Sequence, residues 1–196
     1  MNQSTIEQLL SLLPRNKTIE SAVSGLFFYC ADKPSKAVSY IQEPSICIVL
    51  QGAREIYLGD DCQRFDKSNL MFCPVNIPLS MHIRHATVER PVIVLSMKLN
   101  LVMIGEVLAK IPPKPPNTER HLGIKWQLDS TIMAAFERLI HLLDYPNDIG
   151  FLAPLIQQEI YYRLLIAEQG NKLRQLVVNG SHTHRISKAT DWIKTH

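Results

Sequence analysis

The sequence predicts an α+β protein, a small antiparallel β-barrel followed by an antiparallel pair of helices. Three observations carry this expectation. The stretch Ser45–Ile83 breaks into short apolar runs separated by turn residues. From Asp129 onward the hydrophobic spacing becomes helical. With 196 residues, 46% of them hydrophobic, the chain can bury one core and still carry a helical appendage.

The central stretch sets the barrel. Ser45–Gln51 (SICIVLQ) is a β-branched and apolar run closed by Gly52, and Arg54–Leu58 follows. Gly59-Asp60-Asp61 is turn chemistry, since glycine tolerates positive φ and aspartate bonds nearby backbone N–H groups. Cys62–Phe65 is the returning strand, and Lys67-Ser68-Asn69 turns the chain into Leu70–Cys73. Pro74 and Pro78 predict a bend, because neither can donate to a strand ladder. Strands this short at regular spacing point to a barrel or sandwich.

Upstream, Ser4–Leu13 reads as a helix with Ser4 and Glu7 in capping-box spacing and Pro14 as its stop. Thr18–Cys30 enters the barrel through the strand formers Val23 and Leu26–Tyr29. Lys33–Lys36 is a loop, and Ala37–Gln42 a weak strand. Downstream, Val92–Leu99 is the last full strand, apolar on both faces and so expected to be covered on both. Asn100 caps a helix over Leu101–Lys110. Four prolines between Ile111 and Asn117 favour an extended link from barrel to helices.

In the first of the paired helices, Ile132, Phe136, Leu139 and Leu143 share one face. Tyr145–Asp148 ends it, and the next helix runs from about Leu152 to Glu168. Leu152, Ile156, Ile160 and Leu164 form one stripe there, while Leu155, Tyr161, Tyr162, Leu165 and Ile166 cover much of the other side. A helix apolar nearly all round is buried on more than one side, which points to a second subunit. The expected homodimer interface is Ile132, Phe136, Leu139, Leu143, Leu155, Tyr162, Leu165 and Ile166. Gly170 can end the helix, and Asn179-Gly180-Ser181 is a joint. Arg185–Lys194 follows as an amphipathic helix whose apolar side nothing covers, so it reads as the start of another domain. The expected divisions are a barrel over 1–117, a helical dimerisation region over 118–180, and that start over 181–196.

The net charge of +3 and scattered lysines and arginines give no evidence for nucleic-acid binding. The N-terminus lacks the basic region of a signal peptide, and no apolar run is long enough to span a bilayer. The four cysteines lack CxxC spacing and read as reduced thiols of a cytoplasmic protein. There is no GxSxG elbow and no glycine-rich phosphate loop, and the carboxylates do not cluster, so no enzyme is expected.

Two kinds of site remain. A small barrel can hold one small ligand, and the polar candidates for its interior are Gln51, Tyr57, Ser80 and His82; which face of each strand points inward is not fixed by the sequence. Cys47, Cys62 and Cys73 lie on consecutive strands and are candidate redox thiols, against the competing reading of small buried hydrophobes.

The phrases EPSICIVLQGAREIYLGDD and NLMFCPVNIPLSMHI are joined by Pro154-Leu155-Ile156, Glu159-Ile160, Tyr162–Leu165 and Ile186–His196. Together they resemble the cupin-type N-terminal domain of AraC-family transcription regulators. The resemblance implies an N-terminal half that binds a small-molecule effector or a partner subunit. It also implies DNA binding only through a C-terminal half of two helix-turn-helix units, which this chain lacks; Arg185–Lys194 resembles its first helix. Cupin enzymes carry two histidines one residue apart, then a glutamate and a third histidine. The central stretch has only His82, and His182-Thr183-His184 lies beside the joint, so no metal and no cofactor are expected. Two alternatives stand beside the regulator: a thiol-based redox or electrophile sensor in the same scaffold, and a stand-alone cupin-like binding module or enzyme.

Overall fold

A computed structural model describes residues 3–113 and 124–176. Among the described residues, ten strands form two antiparallel sheets. They are β1 (Lys17–Glu20), β2 (Leu26–Ala31), β3 (Val38–Gln42), β4 (Ser45–Gln51), β5 (Ala53–Leu58), β6 (Asp61–Asp66), β7 (Asn69–Cys73), β8 (Ile77–His82), β9 (Val92–Lys98) and β10 (Lys125–Gln127). One sheet has the order β1-β2-β9-β4-β7-β10, the other β3-β8-β5-β6. The helices are α1 (Gln3–Leu12), α2 (Leu101–Leu108), α3 (Ser130–His141) and α4 (Pro146–Ile166), with a further helical run over 171–176. The α+β class and the barrel-then-helices order stand as expected.

The six-stranded sheet is the middle of three layers. Successive side chains of a strand point to opposite faces. Ile46, Ile48 and Leu50 of β4 join Phe28, Leu95 and Phe72 in a core shared with Phe136, Leu139, Ile160 and Leu164 of the helices. The alternate residues Cys47 and Val49 join Val94, Met71, Ile56 and Phe65 in a second core against the four-stranded sheet. Because both faces are covered, β4, β7 and β9 have no polar face to show, and their sequences run apolar. Gly52 lets β4 turn into β5: its φ is +80°, and a Cβ there would lie 2.8 Å from Val92 Cγ2.

Several boundaries differ from expectation. Ser4 lies inside α1, not at its cap, and Glu7 accepts from Gln3 Nε2 at 3.1 Å. Thr18–Cys30, expected to enter the barrel, does so as a hairpin of β1 and β2, and the strand former Val23 lies in its turn with the positive-φ Gly25. Pro78 lies within β8 rather than at a bend; β5 pairs β8 only over Ser80–His82, so at Pro78 that side of the ladder has no β5 partner. Pro146 starts α4 instead of separating helices, since a first-turn proline lacks only an N–H that would be unbonded anyway. Asn100 and Asp129 do cap α2 and α3, accepting from Met103 N and Thr131 N. The helix ends at Ile166, and the buried Gly170 then passes so close that a Cβ would strike the carbonyls of Leu164 and Leu165. β10, beyond the boundary expected at residue 117, belongs to the barrel sheet, and its Trp126 packs on Phe72 with ring centroids 4.5 Å apart. Helices and sheet share one core, so the helices are not separately cored. The joint and the Arg185–Lys194 helix lie outside the described residues.

One polar tie fixes α4 to the sheet. The buried Tyr161 donates its hydroxyl to the Lys98 carbonyl at 3.1 Å and accepts from Asn100 N at 3.1 Å. Phenylalanine at this position leaves both backbone groups without their partner. Tyr161→Phe is expected to cost about 1–3 kcal/mol, read as a lower urea midpoint at unchanged m-value; a loss below about 0.5 kcal/mol would remove the tie from the account of how α4 is held.

Candidate functional site

Between the two sheets lies a cavity of about 470 Å³. Strand alternation decides what reaches it. In β2, Leu26, Phe28 and Cys30 face the helices, so Phe27 and Tyr29 face the barrel. In β5, Ile56 packs in the barrel core, which puts Arg54 on the same inner side and Glu55 and Tyr57 outside. Tyr40, Met81, Cys47, Val94 and Ser96 complete the wall, and Lys98 and Glu43 line it as well.

The charged groups of the lining differ in exposure: Lys98 and Glu43 are exposed, whereas Arg54 is buried. Lys98 Nζ is paired with Glu43 Oε2 at 2.7 Å and lies 5.1 Å from the centre of the Phe27 ring. Arg54 is only 5% exposed. Its Nη1 reaches Met81 Sδ at 3.7 Å, but Nε and Nη2 have no hydrogen-bond partner among the described residues. Burial raises the Tyr40 hydroxyl pKa, and the Arg54 charge beside it, with a hydrogen bond from that guanidinium, works the other way. Burial, helped by Cys47, pushes the Cys73 thiol up to about 12, again opposed by Arg54. A buried guanidinium without its full set of partners costs several kcal/mol relative to water.

None of the four polar residues expected inside lines this cavity. Tyr57 and His82 meet on the outer face of the four-stranded sheet, gathered around Glu55. Tyr57 donates to Glu55 Oε2 at 2.8 Å, His82 Nδ1 lies 3.7 Å from the same oxygen, and Arg84 Nε donates to Oε1 at 2.5 Å. The Arg84 bond first, and then the Tyr57 bond, hold the Glu55 carboxyl below its usual range. Ser80 is outside as well, 2.7 Å from Ser39 Oγ. Gln51, at the end of β4, donates to the Pro91 carbonyl at 2.9 Å. The cause is the two-residue period: with Arg54 inward in β5 and Met81 inward in β8, the expected residues Tyr57, Ser80 and His82 all fall on the outer face.

The thiols divide too. Cys47 and Cys73 are buried toward the barrel, with Cys47 Sγ 3.3 Å from Ser96 Oγ, whereas Cys62 is exposed on β6 and does not join them. Of the expected dimer residues, Ile132, Phe136, Leu139 and Leu165 belong to the chain's own core, so they have no surface to offer a partner. Leu143 is half-buried against that core. Leu155, Tyr162 and Ile166 are exposed, and the sequence reading missed Phe151 beside them. Arg54 was also missed. Its signal is the pattern Arg54-x-Ile56 in a strand, a cation on the same face as a core isoleucine.

The fold defines the class: a two-sheet barrel with an interior cavity, backed on one side by helices. The family described as AraC-type transcriptional regulator N-terminus matches residues 22–172, and the chain belongs to it. No curated protein matches it in sequence. Among solved structures it is similar in fold to ToxT of Vibrio cholerae. The apo form gives a TM-score of 0.51 at 8% identity, over 74% of this chain and 58% of that one. The unsaturated fatty acid-bound form gives 0.50 at 9%, over 81% and 58%. The form bound to (E)-4-(8-methylnaphthalen-1-yl)but-3-enoic acid gives 0.50 at 11%, over 74% and 56%. The chain therefore spans less than two thirds of these proteins. Among the described residues, no helix is long and apolar enough to cross a membrane.

Burial makes the thiols unequal toward reagents. Brief iodoacetamide treatment of the native protein is expected to label Cys62 and spare Cys30, Cys47 and Cys73, as read by peptide mass spectrometry. Equal native labelling of Cys47 or Cys73 would show that the barrel opens readily and would restore them as sensor thiols.

Proposed function

We propose that this chain is the effector-sensing and dimerisation domain of an AraC-type transcription regulator. It holds a small molecule inside the barrel and associates with a second copy through α4. The observation that carries the reading is the cavity, whose volume of about 470 Å³ falls in the range of small-molecule sites. That ToxT, similar in fold, is described with a fatty acid and with an arylbutenoic acid supports a ligand-holding domain here. DNA binding, on this reading, belongs to a part of the regulator outside the described residues.

The exposed side of α4 supports the pairing. Phe151, Leu155, Tyr162 and Ile166 are all exposed, at spacings of four, seven and four. At 100° per residue they fall in a stripe about 60° wide. Ile160, Leu164 and Leu165 are spent on the chain's own core. A helix apolar on both sides fits one that packs inward on its own sheet and outward on its copy. An effector that favours one arrangement of barrel and helices then shifts how two DNA-binding units are presented.

Two experiments bear on this. The neutral fluorophore N-phenyl-1-naphthylamine is expected to bind the domain with enhanced emission, and the cavity-filling Ser96→Phe to weaken it about tenfold; unchanged binding by that variant would place the ligand elsewhere. In sedimentation velocity, Leu155→Glu with Ile166→Glu is expected to give a folded monomer, whereas Leu165→Glu should unfold the domain. A dimer that survives the double substitution would remove α4 from the interface.

A further inference from the structure

The cavity contains two cations and one carboxylate. Lys98 is satisfied by Glu43, while the 5%-exposed Arg54 leaves Nε and Nη2 unbonded among the described residues. These two N–H-bearing nitrogens lie on one edge of a guanidinium plane, the edge that matches the two oxygens of a carboxylate. The same cavity is lined by Phe27, Tyr29, Tyr40 and Met81, with the small polar residues Ser35, Ser45 and Ser96 among them. A guanidinium is permanently charged and cannot shed its proton to escape burial. Retaining it where a methionine or leucine would be cheaper to bury points to an anionic partner that arrives from outside the chain.

We infer that Arg54 is the anchor of the effector site and that the effector is a small monocarboxylate with an apolar body. The inference rests on the reading of the cavity as a ligand site. The lining has one cation left after Lys98 and Glu43 neutralise each other, so a single negative charge balances it. The carboxylate sits against Nε and Nη2, and the body lies along Phe27 and Tyr29. Tyr40, whose hydroxyl oxygen accepts from the guanidinium, keeps its O–H to donate to the ligand carboxylate.

The test compares two probes of one shape, 4-phenylbutyrate and 4-phenylbutanol, as competitors of N-phenyl-1-naphthylamine. The acid is expected to displace the fluorophore at least tenfold more effectively than the alcohol. Arg54→Met should abolish that preference, keep affinity for the neutral fluorophore, and leave Tm equal or higher, because it removes an unpaired buried charge. Arg54→Lys, which keeps the charge but loses the two-pronged geometry, should retain part of the preference. Equal competition by acid and alcohol in the wild type overturns the inference while leaving the cavity reading intact. So does a preference that survives Arg54→Met. If neither Arg54 variant folds, the guanidinium is a structural group and the inference falls. A wild-type domain that binds neither the fluorophore nor the acid overturns both readings.

Discussion

The structure depends on one constraint: the centre of the six-stranded sheet, β4, β7 and β9, is buried on both faces. Strands in that position cannot alternate polar with apolar residues along their length, so β4, β7 and β9 are mostly apolar, with polar residues chiefly near their ends and at Ser96. Both layers that cover it must then supply apolar surface. The helical layer does so through Phe136, Leu139, Ile160 and Leu164, the barrel side through Ile56, Phe65 and Leu79. The second sheet is different in kind, because its outer face meets water. Glu55, Tyr57, Ser80 and His82 all belong to that outer face, where they bond among themselves and to Arg84 and Ser39.

This difference explains what could be read from the sequence. Turn chemistry at Gly52, Gly59 and Lys67–Asn69 placed the central strands, since those signals act locally, and Asn100 and Asp129 marked helix starts for the same reason. The hairpin of β1 and β2 was hidden because Val23, a strand former, lies in its turn beside Gly25. Inside and outside in β5 were not legible: Arg54-Glu55-Ile56-Tyr57 offers a charged residue to each face, and only packing chooses between them. For α4 the difficulty is the reverse. It is apolar on both sides, so neighbours such as Leu165 and Ile166 look alike although one is fully buried and the other exposed. A periodic pattern locates a helix face only when the opposite face is polar.

The buried Arg54 sets stability against function. Every other charged group lining the cavity has a partner in the chain. A core made only for stability would place an aliphatic side chain at this position, next to Phe65 across the ladder. A cation here lowers the stability of the empty domain and, on the proposed reading, raises the affinity of the filled one. The two effects have one origin, the desolvated guanidinium, and a ligand carboxylate relieves it.

On the proposed reading, the link from the cavity to the exposed side of α4 runs through Lys98. Its side chain lines the cavity in an ion pair with Glu43, and its carbonyl accepts the Tyr161 hydroxyl of α4. The same residue thus ends the cavity wall and holds the helix whose far side carries Phe151, Leu155, Tyr162 and Ile166. Only an interaction that differs between two arrangements of the domain can shift their populations. Contacts with Arg54 alone supply affinity without that difference, because β5 lies in the sheet away from the helices. Contacts that move the end of β9 act directly on the seat of α4. If the cavity holds an effector anchored at Arg54, anchor and signal are separate in this geometry: Arg54 selects the ligand, and the reach of its body toward Lys98 determines whether the helices respond.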